Sequence, residues 1–123
     1  MKLDKDLVQE ILLQVEASPD PMGLVDLTLP DHLEEEIAYH VQILDEAGFI
    51  EALDLTTMDG YDWRPRRLTY EGHEFLDTLR DPVAWRYTKE TAKNAGVASI
   101  KALFEIGKSY ARQKLIEHGV HLG

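Results

Sequence analysis

The chain has 123 residues, of which 44% are hydrophobic and 29% charged, as expected for one domain with a buried core. The absence of cysteine excludes disulfide bonds, a thiolate nucleophile and thiolate metal ligands. No apolar run is long enough to span a membrane and no secretory leader is recognisable, so we expect a cytoplasmic protein without a membrane partner.

The net charge of −10 is divided unevenly along the chain. Residues 1–62 carry two Lys against sixteen Asp and Glu, a balance of −14. Residues 63–123 carry eleven Lys and Arg against seven Asp and Glu, a balance of +4. The overall negative charge opposes sequence-independent binding to nucleic acid, whose phosphates must be neutralised by Lys and Arg.

In the first half, apolar residues at helical spacing predict a helix over residues 4–17, which ends before the turn sequence Ser18-Pro19-Asp20-Pro21. Loose alternation predicts a short strand over residues 23–29. A second helix is predicted over residues 31–47, with Asp31 as its cap and Glu34 as the reciprocal partner. Gly48 suits the left-handed position after that helix, and Phe49 can contact Leu44 across the end.

In the second half, residues 49–55 and 66–68 are predicted strands of a hairpin with a long tip that contains Asp59-Gly60. Thr69 is the predicted cap of a helix to about Arg80, with Gly72, Phe75, Leu76 and Leu79 facing inward. Asp81-Pro82 begins another helix, which ends near Gly96, and a last helix covers about residues 99–117. The predicted class is mainly α with a small antiparallel β-sheet, as a winged helix-turn-helix-like core (residues 1–81) and a C-terminal helical extension (residues 82–123).

Two segments carry a family likeness. Residues 36–50 (EIAYHVQILDEAGFI) resemble the passage from helix to strand in winged-helix regulators, and residues 67–76 (RLTYEGHEFL) resemble the return strand and following helix of PadR-like regulators. Together with Gly60-Tyr61-Asp62-Trp63, Pro65 and Trp85, they resemble one family of short proteins of unknown function from bacteria and their phages and prophages. The resemblance covers roughly residues 1–90 and implies the fold, but no activity.

The helix over residues 31–47 holds six acidic residues and no Lys or Arg. Its outward face is predicted to consist of Glu35, Ala38, Tyr39, Gln42, Asp45 and Glu46. A DNA-reading helix with this face would be repelled by phosphates, although Gln42 could pair with adenine. The face is either simply solvated, or it binds a basic protein partner, or, least in keeping with its charge, it reads DNA.

The hairpin has the opposite character, because it interleaves aromatic and basic side chains as nucleic-acid-binding wings do. The residues concerned are Tyr61, Trp63, Arg64, Arg66 and Arg67. In the alternative interpretation the aromatic residues pack on the domain and the arginines pair with acids of the first half. The position of the arginines therefore discriminates between the two.

The last helix carries a long apolar stripe that includes Ile100, Leu103, Phe104, Tyr110 and Leu115. By analogy with the terminal helices of PadR-type regulators, this stripe is a candidate dimerisation element. Packing on the chain's own first helix explains it equally well.

No motif for catalysis is present: the chain has no glycine-rich phosphate loop, no HExxH and no G-x-S-x-G. We therefore expect no enzymatic activity, no cofactor and no metal site, and we interpret His40, on the apolar stripe of its helix, as a core residue. The leading hypothesis is a small regulatory protein that recognises a protein partner with a basic surface. The alternative is a dimeric DNA-binding transcriptional regulator that contacts phosphate through the basic hairpin.

Overall fold

The computed structural model describes residues 1–121. Within them lie the helices α1 (Lys5–Ala17), α2 (Glu34–Glu46), α3 (Tyr70–Arg80), α4 (Pro82–Ala95) and α5 (Ile100–Glu117), and the strands β1 (Ile50–Asp54) and β2 (Trp63–Leu68). The two strands form an antiparallel sheet. The predicted class, mainly helical with a small antiparallel sheet, is confirmed. Among the described residues, no helix has the length and apolar character needed to cross a membrane.

The chain divides into two compact units, the first formed by Met1–His73 and the second beginning at Glu74. The division falls within α3. The expected division at residue 81 into a winged-helix core and a helical extension stays a prediction. The first unit has five Lys and Arg against seventeen Asp and Glu, a balance of −12, and the second has eight against six, a balance of +2.

Helix α1 forms as predicted, because both its N-cap and its apolar face depend on residues within the segment itself. The side chain of Asp4 accepts hydrogen bonds from the backbone N–H groups of Asp6 and Leu7, at 3.0 and 3.1 Å. One face of the helix is buried, by Leu7, Val8, Ile11, Leu12 and Val15. This face and α2 supply much of the first unit's core.

The strand predicted over residues 23–29 is wrong, because these residues form no regular element. The N–H of Val25 donates to the carbonyl of Pro65, at 2.8 Å, but proline has no N–H with which to complete a ladder. The side-chain amide of Gln14 accepts a hydrogen bond from the backbone N–H of Thr28, at 2.8 Å, and donates one to its carbonyl, at 2.9 Å. The segment is therefore held to the hairpin by the Val25–Pro65 bond and to α1 by Gln14, instead of by a third strand.

The predicted start of α2 is also wrong, because the helix begins at Glu34 and not at Asp31. The N–H of His32 bonds to the carbonyl of Leu29, so residues 29–32 close a separate turn. The cap residue is then Leu33, which is 75% exposed and offers no side-chain hydrogen bond. Three glutamates in the first turn compensate, since negative charge is favourable at a helix N-terminus.

The predicted end of α2 is confirmed. Gly48 has φ +86°, its N–H bonds to the carbonyl of Asp45, and the N–H of Phe49 bonds to the carbonyl of Leu44, both at 3.0 Å. This pair of bonds is the Schellman arrangement.

His40 is fully buried on α2, where its Nδ1 donates to the carbonyl of Glu36 and its Nε2 accepts from the N–H of Asp4, both at 2.8 Å. The interpretation of His40 as a core residue is confirmed.

The hairpin is more regular than predicted. β2 begins at Trp63 instead of Arg66, and backbone bonds continue the pairing beyond the strands to a tight turn over residues 57–60. The register shifts between Glu51 and Ala52, so that Glu51 faces Arg67 while Ala52 faces Pro65. Arg66 is thus the extra residue of a β-bulge.

The predicted start of α3 is confirmed, and its packing explains why residue 72 is a glycine. The hydroxyl of Thr69 accepts from the N–H of Gly72 at 3.1 Å and donates to the carbonyl of Gly48 at 2.6 Å. A Cβ at position 72 would lie 2.0 Å from the carbonyl oxygen of Phe49. Only glycine allows the helix to approach the backbone this closely. The predicted inward residues Gly72, Phe75, Leu76 and Leu79 are all buried.

In the second unit, α4 and α5 begin as predicted, with Asp81 and Ser99 as their side-chain caps. Phe75 and Phe104 meet edge to face, with ring centroids 5.7 Å apart. A Cβ at Gly107 would lie 2.8 Å from the side chain of Thr78, so this glycine lets α5 approach α3. The N-terminal half of α5 therefore packs into the unit's core together with the buried residues of α3 and α4.

Candidate functional site

An open groove of about 400 Å³ lies in the first unit between the N-terminal half of α2, residues 25–27 and the hairpin. Helix α2 contributes Glu34, Ile37 and Ala38 to its lining. The hairpin contributes Leu55, Thr57, Asp59, Gly60, Tyr61, Asp62, Trp63, Arg64 and Pro65. We call this the acidic groove. Its volume lies within the range of ligand-binding clefts.

The charge of the acidic groove is strongly negative. Four of its lining residues are carboxylates, namely Asp26, Glu34, Asp59 and Asp62, whereas Arg64 is its single cation. The guanidinium of Arg64 lies 3.5 Å from Asp62 and 3.7 Å from Asp26. Arg64 therefore neutralises part of the acidic cluster, and Glu34 and Asp59 remain exposed.

Aromatic side chains form part of the same wall. Tyr61 and Trp63 are both half-buried, and the hydroxyl of Tyr61 donates a short hydrogen bond to Oε1 of Gln42. The amide of Gln42 in turn donates to Glu46, at 3.0 Å. Burial, and then the negative charges of Asp54 and Glu46, raise the pKa of Tyr61. The same negative field favours a cationic ligand next to the ring.

The structure divides the predicted outward face of α2. Glu35 and Glu46 are exposed, as expected. Ala38 is 4% exposed, so its placement on an outward face was wrong; the hairpin and residues 25–27 share its side of the helix around the groove. Tyr39, Gln42 and Asp45 are half-buried. Asp45 is a structural residue, because its Oδ1 accepts a 2.9 Å hydrogen bond from the N–H of Ala52 at the bulge.

The hairpin arginines do not form one basic patch. Arg67 pairs with Glu51 through two contacts of 2.6 and 3.1 Å, and it donates to the carbonyl of Leu68. Arg64 faces the acidic groove instead. Arg66 lies at the bulge in a separate cleft with Glu16, Asp20 and His73, and its Nε has no partner among the described residues. Two of the three arginines are thus paired with acids of the first half.

The predicted dimer helix is likewise divided. Ile100, Leu103 and Phe104 are buried in the core of the second unit, so they are not free to contact a second copy of the chain. Tyr110 is half-buried against Tyr87, with centroids 5.0 Å apart, while Leu115 and Ile116 are 44% and 50% exposed. A cleft of about 480 Å³ beside them has an acidic rim (Glu74, Asp77, Asp81) and a basic rim (Lys108, Arg112, Lys114).

The acidic residues of the groove are not recognisable as one site from the sequence. Asp26 lies in the segment predicted as a strand, Glu34 was assigned only a capping role, and Asp59 only a turn. Their common signal was the excess of acid in residues 1–62. What that signal lacks is the folding of the hairpin towards α2, which depends on contacts far apart in sequence.

Comparison with known proteins gives one family and one relative. A family model described as "Hypothetical protein (DUF2513)" matches residues 2–98. An uncharacterised protein of Haemophilus influenzae is 32% identical over 120 residues, which cover 94% of this chain and 99% of that protein. No solved structure matches. The resemblance to a family of unknown function is confirmed, whereas the winged-helix and PadR relationships and the phage origin stay predictions.

Proposed function

The chain belongs to the DUF2513 family of hypothetical proteins, and from that premise we propose that it is a regulatory binding protein whose acidic groove captures a basic segment of a partner protein. The observation that carries the proposal is the composition of the groove. Four carboxylates line it, and its single arginine is already paired with two of them. A partner segment with Lys or Arg would neutralise the excess negative charge of the groove.

The aromatic residues of the groove favour the same ligand. Tyr61 and Trp63 present ring surface beside the carboxylates. A Lys or Arg side chain can pack its methylene groups on such rings while its charged end meets the acids, and a cation near an aromatic face gains further attraction. Exposed charges such as Glu34 and Asp59 would mainly accelerate association and select the partner's sign of charge.

The proposal assigns no chemistry to the site, in keeping with the lack of a catalytic motif in the sequence. It places the protein in the cytoplasm, where basic surfaces that normally meet nucleic acid are abundant. The acidic groove and the exposed Glu35 and Glu46 would compete with phosphate for such a surface. Binding would weaken as salt screens the charges.

Charge reversal tests the proposal. The probe is a labelled Lys/Arg-rich peptide, with a matched peptide in which every Lys and Arg is replaced by Gln. We expect Glu34→Lys with Asp59→Lys to weaken binding of the basic peptide by about ten-fold, since two attractions become repulsions. The control is Glu90→Lys with Glu105→Lys, which changes the net charge equally at exposed positions of the second unit. Equal loss in both variants, or equal binding of the neutral peptide, would refute a specific acidic groove.

The alternative function, a dimeric DNA-binding regulator, is supported by Arg66. Its Nε has no hydrogen-bond partner among the described residues, and exposed Lys101, Lys108 and Arg112 lie on α5. Phosphate binding through these cations would make affinity for duplex DNA fall steeply with salt. Arg66→Ala should then reduce that salt dependence, whereas Arg67→Ala should have a smaller effect because Arg67 is held by Glu51.

A further inference from the structure

A second cluster in the first unit combines a histidine with two carboxylates and lies apart from the acidic groove. It consists of Asp4, His32 and Glu36, each half-buried. One ligand atom from each residue lies within 4.8 Å of the others. The three come from the cap of α1, the turn before α2 and the first turns of α2. The fold therefore brings a carboxylate oxygen of Asp4 to one imidazole nitrogen and one carboxylate oxygen from His32 and Glu36, which are only four residues apart.

Buried contacts fix the positions of two of these residues. The ring of His40 accepts from the N–H of Asp4 and donates to the carbonyl of Glu36, both at 2.8 Å. Since His40 is fully buried, it sets the backbone spacing between the two carboxylates. Asp4 uses Oδ1 to cap α1, which leaves Oδ2 for another partner. Such backing from outside the cluster is characteristic of sites that hold an ion in a defined geometry.

We propose that Asp4, His32 and Glu36 form a binding site for a divalent transition-metal ion of the Zn²⁺ type. Imidazole nitrogen and carboxylate oxygen are both ordinary Zn²⁺ ligands, and three protein ligands leave a fourth position open. Affinity for such a donor set rises from Mn²⁺ to Cu²⁺ and falls again at Zn²⁺, so ligand type and metal availability, and not affinity alone, favour Zn²⁺. Hard ions such as Mg²⁺ prefer sites made of oxygen alone.

The surroundings of His32 provide access from solvent. Oε2 of Glu10 lies 3.8 Å from Nε2 of His32. An open groove of about 280 Å³ is lined by both residues, so an ion can reach the imidazole from solvent. Water would fill the fourth position. The bound ion would tie the start of α1 to the start of α2 within the first unit.

Titration calorimetry of the full chain, freed of metal with a chelator, tests this site with Zn²⁺ as the probe. We expect one Zn²⁺ per chain and a rise in the thermal unfolding midpoint on binding. Co²⁺ in place of Zn²⁺ should give visible absorption bands of a nitrogen- and oxygen-coordinated ion. His32→Ala and Glu36→Gln should each weaken Zn²⁺ binding by at least about ten-fold.

Other histidines supply the matched controls. His73 is exposed in the first unit, and His118 and His121 are exposed after the last turns of α5. His73→Ala and the double variant His118→Ala with His121→Ala should bind Zn²⁺ as the natural chain does. Circular dichroism confirms that each variant is folded. The proposal is overturned if the natural chain binds no Zn²⁺, or if His32→Ala and Glu36→Gln are folded and retain the affinity of the natural chain.

Discussion

The carboxylate of Asp45 accepts a 2.9 Å hydrogen bond from the backbone N–H of Ala52. The register shift between Glu51 and Ala52 disturbs the ladder at this point, and the carbonyl of Pro65, the residue opposite Ala52, accepts from the N–H of Val25 instead. Helix α2 therefore supplies the acceptor that the sheet does not. This bond joins the helix to the hairpin on the two sides of the acidic groove.

Removing that acceptor should destabilise the protein. We expect Asp45→Ala to lower the free energy of unfolding by about 1–2 kcal/mol, because a part-buried N–H loses its partner. Asp45→Asn keeps an oxygen acceptor and should cost less than half as much. Urea unfolding measures both, with Glu35→Ala as the exposed control on the same helix. An effect of Asp45→Ala no larger than that of Glu35→Ala would show that the bond does not hold the hairpin.

Gly72 should tolerate no side chain. In Gly72→Ala the new Cβ would lie 2.0 Å from the carbonyl oxygen of Phe49, so α3 or the start of β1 must move. We expect a loss of about 3 kcal/mol or more in the free energy of unfolding. The neighbouring exposed substitution Glu71→Ala should change it by no more than about 0.5 kcal/mol. Chemical unfolding of both variants checks this, and a stable Gly72→Ala protein would contradict the close approach.

Stability should depend on pH through His32. The hydrogen bond to Glu36, and then the charges of Glu36, Asp4 and Glu10, raise the pKa of His32 above its ordinary value, against the effect of burial. A raised pKa in the folded state stabilises below the unfolded pKa, and this stabilisation disappears as pH rises through the folded pKa. With chelator present, His32→Gln should therefore destabilise the protein more at about pH 5.5 than at about pH 9. An equal effect at both pH values would contradict the ion pair.

The exposed end of α5 should decide whether two copies associate. Leu115 lines a cleft whose acidic and basic rims could meet the opposite rims of a second copy related by two-fold symmetry, and the next residue, Ile116, is 50% exposed. We expect Leu115→Glu with Ile116→Glu to convert a dimer to a monomer in sedimentation equilibrium without loss of helix content. If the natural chain stays monomeric at every concentration tested, the predicted homodimer is wrong.

Local features could be predicted from the sequence because their causes are local. The caps by Asp4, Thr69 and Asp81 each depend on a side chain that reaches an N–H two or three residues away. The helix end at Gly48 depends on the one residue that adopts a positive φ at no cost. These signals gave the helices and the fold class.

The errors arose where distant residues decide the outcome. Asp31 lost its capping role because a turn closes over residues 29–32. The strand at residues 23–29 failed because its neighbour in space is Pro65. The acidic groove exists because the hairpin lies beside α2, and the cluster around His32 needs Asp4, 28 positions earlier in the chain. Periodicity along one segment contains none of this information.

Fluorescence anisotropy with two labelled probes tests the central claim most directly. One probe is the Lys/Arg-rich peptide, and the other is a mixed-sequence DNA duplex, each measured at low and then near-physiological salt. We predict that the peptide binds, that its affinity falls with salt and with Glu34→Lys and Asp59→Lys, and that the duplex does not bind even at low salt. Binding of the duplex, with no binding of the peptide, would contradict the acidic-groove account and favour a DNA-binding regulator.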